Sequence, residues 1–384
     1  MLGRQANGSV LGVDSIPNFS SYFYRPGLVP SAFGAFVQFT WPYTMVGSAP
    51  FGADDSGQTT RINAPIVPVI VDLRNFDGSP RFVGGTRLIS DPRKFVPAVL
   101  NSPVFDNFTY SSSERPTQYT DAVHRAQFAH QSDDSWHTIL RPQVKQPQTM
   151  VLIRGTYRFA LNADGTCCNF IIADNGTFIG KLFPPTPDDA TTVIGAAENA
   201  GDISTTDISS LLFPDTFLAD VTATTFANCC VLGFHTYDLE PGDAANGFRE
   251  RRYVLNYSAY TSTTIFGPTF SDITALSHEL SETFSDPFVN NATPIWVAPN
   301  GLCQNNLEDG DVIEGLPNAV FPITLNGKTY HPQNEALLQW FAGQTPSSAL
   351  DHAYSYPDTT VLQAAAVSLQ PDCATPSVAP ARSK

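Results

Sequence analysis

His278-Glu279-Leu280-Ser281-Glu282 sets an imidazole and a carboxylate four residues apart, one turn of helix, with a second carboxylate between them. This is the spacing of a zinc-hydrolase helix in which Glu282 stands where the commoner pattern has a second histidine. In that chemistry His278 and Glu282 hold a divalent cation. Glu279, with no necessary ligand task, takes a proton from the attacking water and passes it to the leaving amine. A third protein ligand must come from elsewhere in the fold. Glu308 and Asp311, in the acidic run Glu308-Asp309-Gly310-Asp311 that leads to Glu314, lie far enough beyond the helix for the chain to turn back on it. Asp286 is the nearer alternative, and it can instead orient His278 through the free ring nitrogen. Zinc is the expected ion, and the oxygen-rich loop also suits a structural calcium. Carboxylate ligands offset the charge of the ion, so its bound water is less acidified and the base matters more. A donor to the developing oxyanion is sought among His331, Tyr330, His235 and Tyr257, which the sequence does not rank. The plain alternative is a surface helix whose His278–Glu282 pair is worth about 0.2–0.5 kcal/mol. His124, His130 and His137 read as packing or surface residues, and Trp296 as a pocket floor or a buried loop anchor.

The helix that must carry this set is expected over 272–286. Ser271 or Asp272 can cap its start, and Pro287 stops it. Ile273, Leu276, Leu280 and Phe284 form one apolar stripe that should enter the core. At roughly 100° per residue, His278, Glu282 and Asp286 fall on the opposite side within about 80° of one another, with Glu279 on the flank. Strands are expected at 35–39, 149–153, 168–172, 230–235 and 253–257. The nearly all-apolar, β-branched run 66–73 reads as a strand covered on both faces. A helix is expected from Tyr119 to Gln131, a hairpin arm over 175–183, a short helix at 207–219 and another at 334–341. Residues 1–30 read as an extended N-terminal arm and 365–384 as a disordered tail, leaving one domain over 31–364.

A net charge of -15 argues against a nucleic-acid partner. No apolar run reaches the roughly 18 residues that span a bilayer, so no membrane partner is expected. The first residues lack the basic and apolar regions of a secretory signal. Few Lys, many Thr, Ser and Asn, and the acidic balance favour an exported protein whose signal has been removed. Six cysteines fall as the adjacent pairs Cys167-Cys168 and Cys229-Cys230, plus Cys303 and Cys373. The pairs are expected either to crosslink strand to strand or to stay as buried thiols. No helix start or basic partner marks them as nucleophiles. Glycine-rich phosphate loops and a Gly-X-Ser-X-Gly elbow are absent.

Ser277-His278-Glu279-Leu280-Ser281-Glu282, Ser285-Asp286-Pro287 and Glu308 through Gly315 together resemble a group of secreted bacterial proteins with a His-Glu-x-x-Glu helix, classed as metallopeptidases. Thr117-Gln118-Tyr119-Thr120-Asp121-Ala122, Arg125, Phe128, Asn290-Asn291, Trp296 and Gln304-Asn305-Asn306-Leu307-Glu308 look like the same group, so the likeness spans about residues 60–360. More distantly the chain is similar to the plant EXORDIUM, or phosphate-induced, proteins. Their matching helix ends in Asn-Pro, and their downstream Glu-x-Gly-Asp falls on Glu308, Gly310 and Asp311. Those proteins keep a cysteine after Gly-Asp-Leu where this chain has Ile313, so no disulfide is carried over there. The resemblance implies a metal-dependent hydrolase. The expected architecture is α+β: a zincin-like domain with a twisted mixed sheet, the site helix and extensive ordered loops. It would be a monomer acting on peptide or protein substrate in an exposed cleft. The same residues also serve hydrolysis of a non-peptide amide or a cell-wall crosslink. The competing reading is a secreted binding or structural protein whose metal is stabilising or absent.

Overall fold

In the computed structural model, residues 3–4, 13–28, 36–51, 58–111, 115–187, 189–221, 226–267, 270–299 and 301–366 are described. The apolar run around residue 66 is the middle of a long strand, β1 (Thr59–Arg74), whose alternation serves two cores. Ile62, Ala64 and Ile66 point into one, and Val67, Val69, Val71 and Leu73 into the other. Side chains of successive strand residues leave on opposite faces, so a run this apolar has to be covered on both.

Helix α1 (Tyr119–Gln127) and strands β2 (His137–Val144), β3 (Gln148–Ile153), β4 (Ile208–Pro214), β5 (Gly233–Glu240) and β6 (Glu250–Tyr260) follow. The central sheet has the order β3-β1-β4-β6-β5, with β2 also paired along the first half of β1. Its β1–β3, β1–β4 and β4–β6 pairs are parallel. The outer strand β5 runs antiparallel to β6, with His235 opposite Asn256, and the short strand Ile89–Ser90 runs antiparallel to β1. The molecule is thus mixed α and β on a largely parallel sheet, 40% strand against 17% helix. The mixed sheet expected from the sequence is present.

Helix α2 (Thr274–Ser285) lies across β5 and β6 on one face of this sheet. Ile273, Leu276, Leu280 and Phe284 fill that core with Ile62, Ile66, Leu140, Leu212 and Val254, as their spacing requires. On the other face the sheet packs on helices Asn175–Leu182 and Val193–Asn199. A second sheet, Tyr157–Leu161, Cys167–Asp174, Thr216–Val221 and Phe226–Val231, adds Ile171 and Phe217 to that core, where they meet Phe178 of the first of those helices and Phe213 of β4. Beneath α2 the main sheet turns polar. Asn256 donates to Ser210 and Ser258 donates to Asn256, all three buried. This polar strip runs beside His235.

Several local expectations are corrected. Residues 175–182 form a helix, not a hairpin arm, because Asp174 caps it by accepting from the Thr177 backbone N–H. The short helix expected at 207–219 is two strands, β4 and Thr216–Val221, broken at Asp215 with φ 41°. Helix α1 stops at Gln127 rather than 131, and the later helix is reduced to Leu338–Phe341. Within the expected N-terminal arm, Asn18–Leu28 is a strand paired with Phe36–Val46. The expected tail lies outside the described residues from 367 onward. Cys167–Cys168 and Cys229–Cys230 are each bridged within the pair, which replaces both cysteine readings. Among the described residues no helix is long and apolar enough to cross a membrane.

Candidate metal centre

Three segments converge. Helix α2 supplies His278, Glu279 and Glu282, edge strand β5 supplies His235, and the loop after strand β7 (Cys303–Asn306) supplies Glu308 and Asp311. In β5 the strand alternation sends Phe234 into the far core and His235 to the α2 side. His235 Nδ1 stands 3.2 Å from Glu282 Oε2, 3.5 Å from Glu308 Oε2 and 3.9 Å from Glu279 Oε2. His278 Nε2 stands 3.2 Å from Glu282 Oε1, 3.7 Å from Asp311 Oδ1 and 3.8 Å from Glu279 Oε1. Every residue of α2 is buried, so its polar side is not the solvated face of a surface helix. Exposure rises toward the loop: the side chains of Glu282 and His235 are 4% exposed, that of Asp311 30%. The cluster therefore opens at Asp311.

The loop is held by its own amides. Asn306 donates to Glu308 Oε1 and Gln304 to Asp311 Oδ2, leaving the other oxygen of each carboxylate facing an imidazole. The backbone N–H groups of Gly310 and Asp311 donate to Glu282 Oε1 at 3.2 and 3.3 Å. Asp309 accepts from Ser281 and Ser285, and the Gln333 side chain donates to the Gly310 carbonyl. Two glycines permit the approach. A Cβ on Gly310 would lie 2.5 Å from His278 Nδ1, and one on Gly233 would lie 2.4 Å from Glu279 Oε1.

Burial alone would lower both imidazoles. For His235 it is outweighed by Glu308, Glu282 and Glu279, and for His278 by Glu282 and Glu279, so both stand well above the usual value. Burial pushes Glu279 and Glu308 up, Asp311 to about 6 and Asp309 to about 7. It acts on Glu282 too, but the His278 and His235 imidazoles outweigh it and hold that carboxyl below its usual range. Without a cation such a cluster retains protons.

Of the residues singled out in the sequence, His278, Glu279, Glu282, Glu308 and Asp311 are brought together. Asp286 is not turned to His278. It accepts the backbone N–H groups of Asn290 and Asn291 and closes the C-terminus of α2, burial raising it to about 6. His331 and Tyr330 sit at the other end of the helix. His331 Nδ1 is 2.8 Å from Asp272, two residues before α2 begins, whereas His278 lies four residues or about 6 Å along the axis beyond Thr274. Tyr330 packs with Ile273 in the core, under the Lys328 ammonium. Tyr257 donates to the Thr216 carbonyl on the far face. His235 belongs to the ligand cluster, a role the sequence reading did not assign. Asp309, Gln304 and Asn306 as supports were also missed. His124 is fully buried among Phe19, Phe128, Trp136 and Phe284, with burial lowering it to about 4, as a packing residue should be. A cavity lined by Phe76, Arg81, Arg154, Tyr157 and Phe159 shares no residue with the cluster.

Comparisons with protein-family models, curated proteins and solved structures give no match to this chain.

Proposed function

We propose that the protein is a divalent-cation-dependent hydrolase, with zinc as the ion and peptide bonds as the substrate. One observation carries this reading: two imidazoles and four carboxylates converge in a buried space, and no Lys or Arg pairs with any of them among the described residues. Unpaired buried carboxylates are strongly unfavourable, so the set is built for something positive to complete it. The residues fit a metal. Ligand atoms about 2.0–2.2 Å from a tetrahedral zinc are separated by roughly 3.3–3.5 Å, and the shortest imidazole–carboxylate separations are 3.2 and 3.5 Å. Glu279 Oε2 and Glu308 Oε2 are buried with no hydrogen-bond partner. Two trios have ligand atoms close enough to share an ion, His235 with Glu282 and Glu308, and His278 with Glu279 and Glu282. The first would hold the ion, which would supply a Lewis acid for the scissile carbonyl and acidify water.

Glu279 is the general base. It is farther than Glu282 from either imidazole, at 3.8 and 3.9 Å, and Gly233 leaves it room to lie against β5. Burial raises its proton affinity, the direction required of a group that takes a proton from water and returns it to the leaving amine. The peptide preference rests on the first half of β5, Gly233–Tyr237, in the strand that ends the hydrogen-bonded order of the sheet. An extended peptide can add there as a further strand, its backbone running past His235 and Glu279. Export is supported by the disulfide bonding of Cys167, Cys168, Cys229, Cys230 and Cys303.

The test pairs two variants. Glu282→Ala should lose stoichiometric zinc. Glu279→Gln should keep the ion and lose turnover of a peptide library by at least about 100-fold. Retained turnover in Glu279→Gln removes the base assignment, and a zinc-loaded wild-type protein inert toward every peptide favours the stabilising-metal reading.

A further inference from the structure

We propose that the cluster holds two divalent cations side by side, bridged by the Glu282 carboxylate. This rests on the reading of the cluster as a metal centre and goes beyond a single ion. The six side chains divide into two half-sites. In one, His235 Nδ1 faces Glu282 Oε2 and Glu308 Oε2 at 3.2 and 3.5 Å. In the other, His278 Nε2 faces Glu282 Oε1 and Asp311 Oδ1 at 3.2 and 3.7 Å. Each half thus has one imidazole and one oxygen of Glu282; the third ligand atom close to both is from Glu308 in the first and from Glu279 in the second, where Asp311 stands beside His278. A carboxylate that gives one oxygen to each half is the geometry of a bridge, and paired ions in hydrolases stand roughly 3.5–4 Å apart. Glu279 straddles the same division, Oε1 toward His278 and Oε2 toward His235. It is therefore placed to serve water lying between the ions.

Charge counts the same way. Glu279, Glu282, Glu308 and Asp311 carry four negative charges when ionised, with no Lys or Arg paired to them among the described residues. One divalent ion leaves half of that uncompensated in a buried space, whereas two neutralise it. A separate sign of missing ligands is that Glu279 Oε2 and Glu308 Oε2, both in the His235 half, are buried and unpartnered. The amide clamps are also duplicated: Asn306 fixes the loop carboxylate of one half and Gln304 that of the other. Support of this kind is what metal ligands receive from their surroundings.

The test uses the full chain, stripped with a chelator, dialysed and titrated with Zn2+ under calorimetry and native mass spectrometry, then with Mn2+ under electron paramagnetic resonance. Two Zn2+ per chain and an exchange-coupled Mn2+ spectrum are expected. Glu308→Gln should reduce the count to one by emptying the His235 half, and Asp311→Asn should do so through the His278 half. Glu282→Gln should weaken both by at least tenfold. Saturation at one ion with an isolated six-line Mn2+ spectrum overturns the pair and leaves the single-ion hydrolase standing. No bound ion at all overturns both. Circular dichroism checks that each variant folds, and the wild-type count decides the matter even where one does not.

Discussion

Glu308 and Asp311 each have one oxygen tied to an amide and one turned to an imidazole, so their aim depends on Asn306 and Gln304. Asn306 and Glu308 are two residues apart in extended chain, which places the amide on the same side as the carboxylate it serves, whereas Asp311 is returned to Gln304 by the turn that follows β7. Asn306→Ala frees Glu308 without removing a ligand. Divalent-ion affinity should fall by about 10–100-fold, read by competition against a coloured chelator, and an unchanged affinity would show that the loop aims itself. Gly233→Ala is the companion case. Its Cβ would fall 2.4 Å from Glu279 Oε1, so the base must swing away. Turnover should drop by about 100-fold, the size of effect a misplacement near 1 Å produces. At this scale the sequence was informative where spacing is local. His278, Glu279 and Glu282 share one helix, and helical geometry alone groups them. His235 was legible only as one of several possible donors, because its membership depends on which strand forms the sheet edge beside α2. An isolated histidine in an apolar strand carries no mark of that.

At its start helix α2 is held by its apolar stripe rather than by a side-chain cap. Its N-cap residue is Ile273, with no side-chain cap bond, while Leu280 and Phe284 are wholly enclosed. Leu280→Ala removes buried volume directly behind the ligand set and should destabilise the protein by about 2–5 kcal/mol. Leu239→Ala is the control: Leu239 is 45% exposed on β5, and its loss should change the denaturant midpoint little. Equal effects of the two would mean that α2 does not anchor the core. The stripe was readable because period 3.6 over four apolar positions has one interpretation. Shorter elements were not. Ile208-Ser-Ser-Leu-Leu-Phe-Pro is too short for periodicity to separate helix from strand, and its pairing with β6 is decided by tertiary contact. Asn175-Gly176 reads as a turn dipeptide, yet Asp174 in front of it acts as a helix cap.

Across the whole molecule the acidity is partly an interior property. Asp286, Asp309, Glu279, Glu282, Glu308 and Glu335 are all buried around α2, so composition alone could not tell a solvated acidic surface from a charged core. Nor could it show that β1 pairs with β4 across more than a hundred residues, which is how the sheet carrying the site is assembled. This interior charge gives the metal-free protein a defined pH response. Asp286, Asp309, Asp311, Glu279 and Glu308 have folded values raised by burial, and His235 and His278 have values raised by the carboxylates. For each, the folded state binds its proton more tightly than the unfolded chain. The stability this contributes is complete below the unfolded values, near 4 for the carboxyls and 6.5 for the imidazoles. It is lost as pH rises through the folded values, which begin at about 6 to 7 for the three aspartates. Glu282, held low, acts in the opposite sense, and its contribution fades only in acid. The chelated protein should therefore melt lower at pH 8 than at pH 5, by roughly 5 °C for a loss of a few kcal/mol in a chain of this size. A bound cation takes the place of those protons and binds more tightly as they leave, so added zinc should raise the melting temperature at pH 8 far more than at pH 5. Thermal scans at the two pH values, with chelator and with zinc, measure this directly. If the chelated protein is as stable at pH 8 as at pH 5, the buried carboxylates are compensated by something other than protons, and the electrostatic case for a cation in this cluster fails.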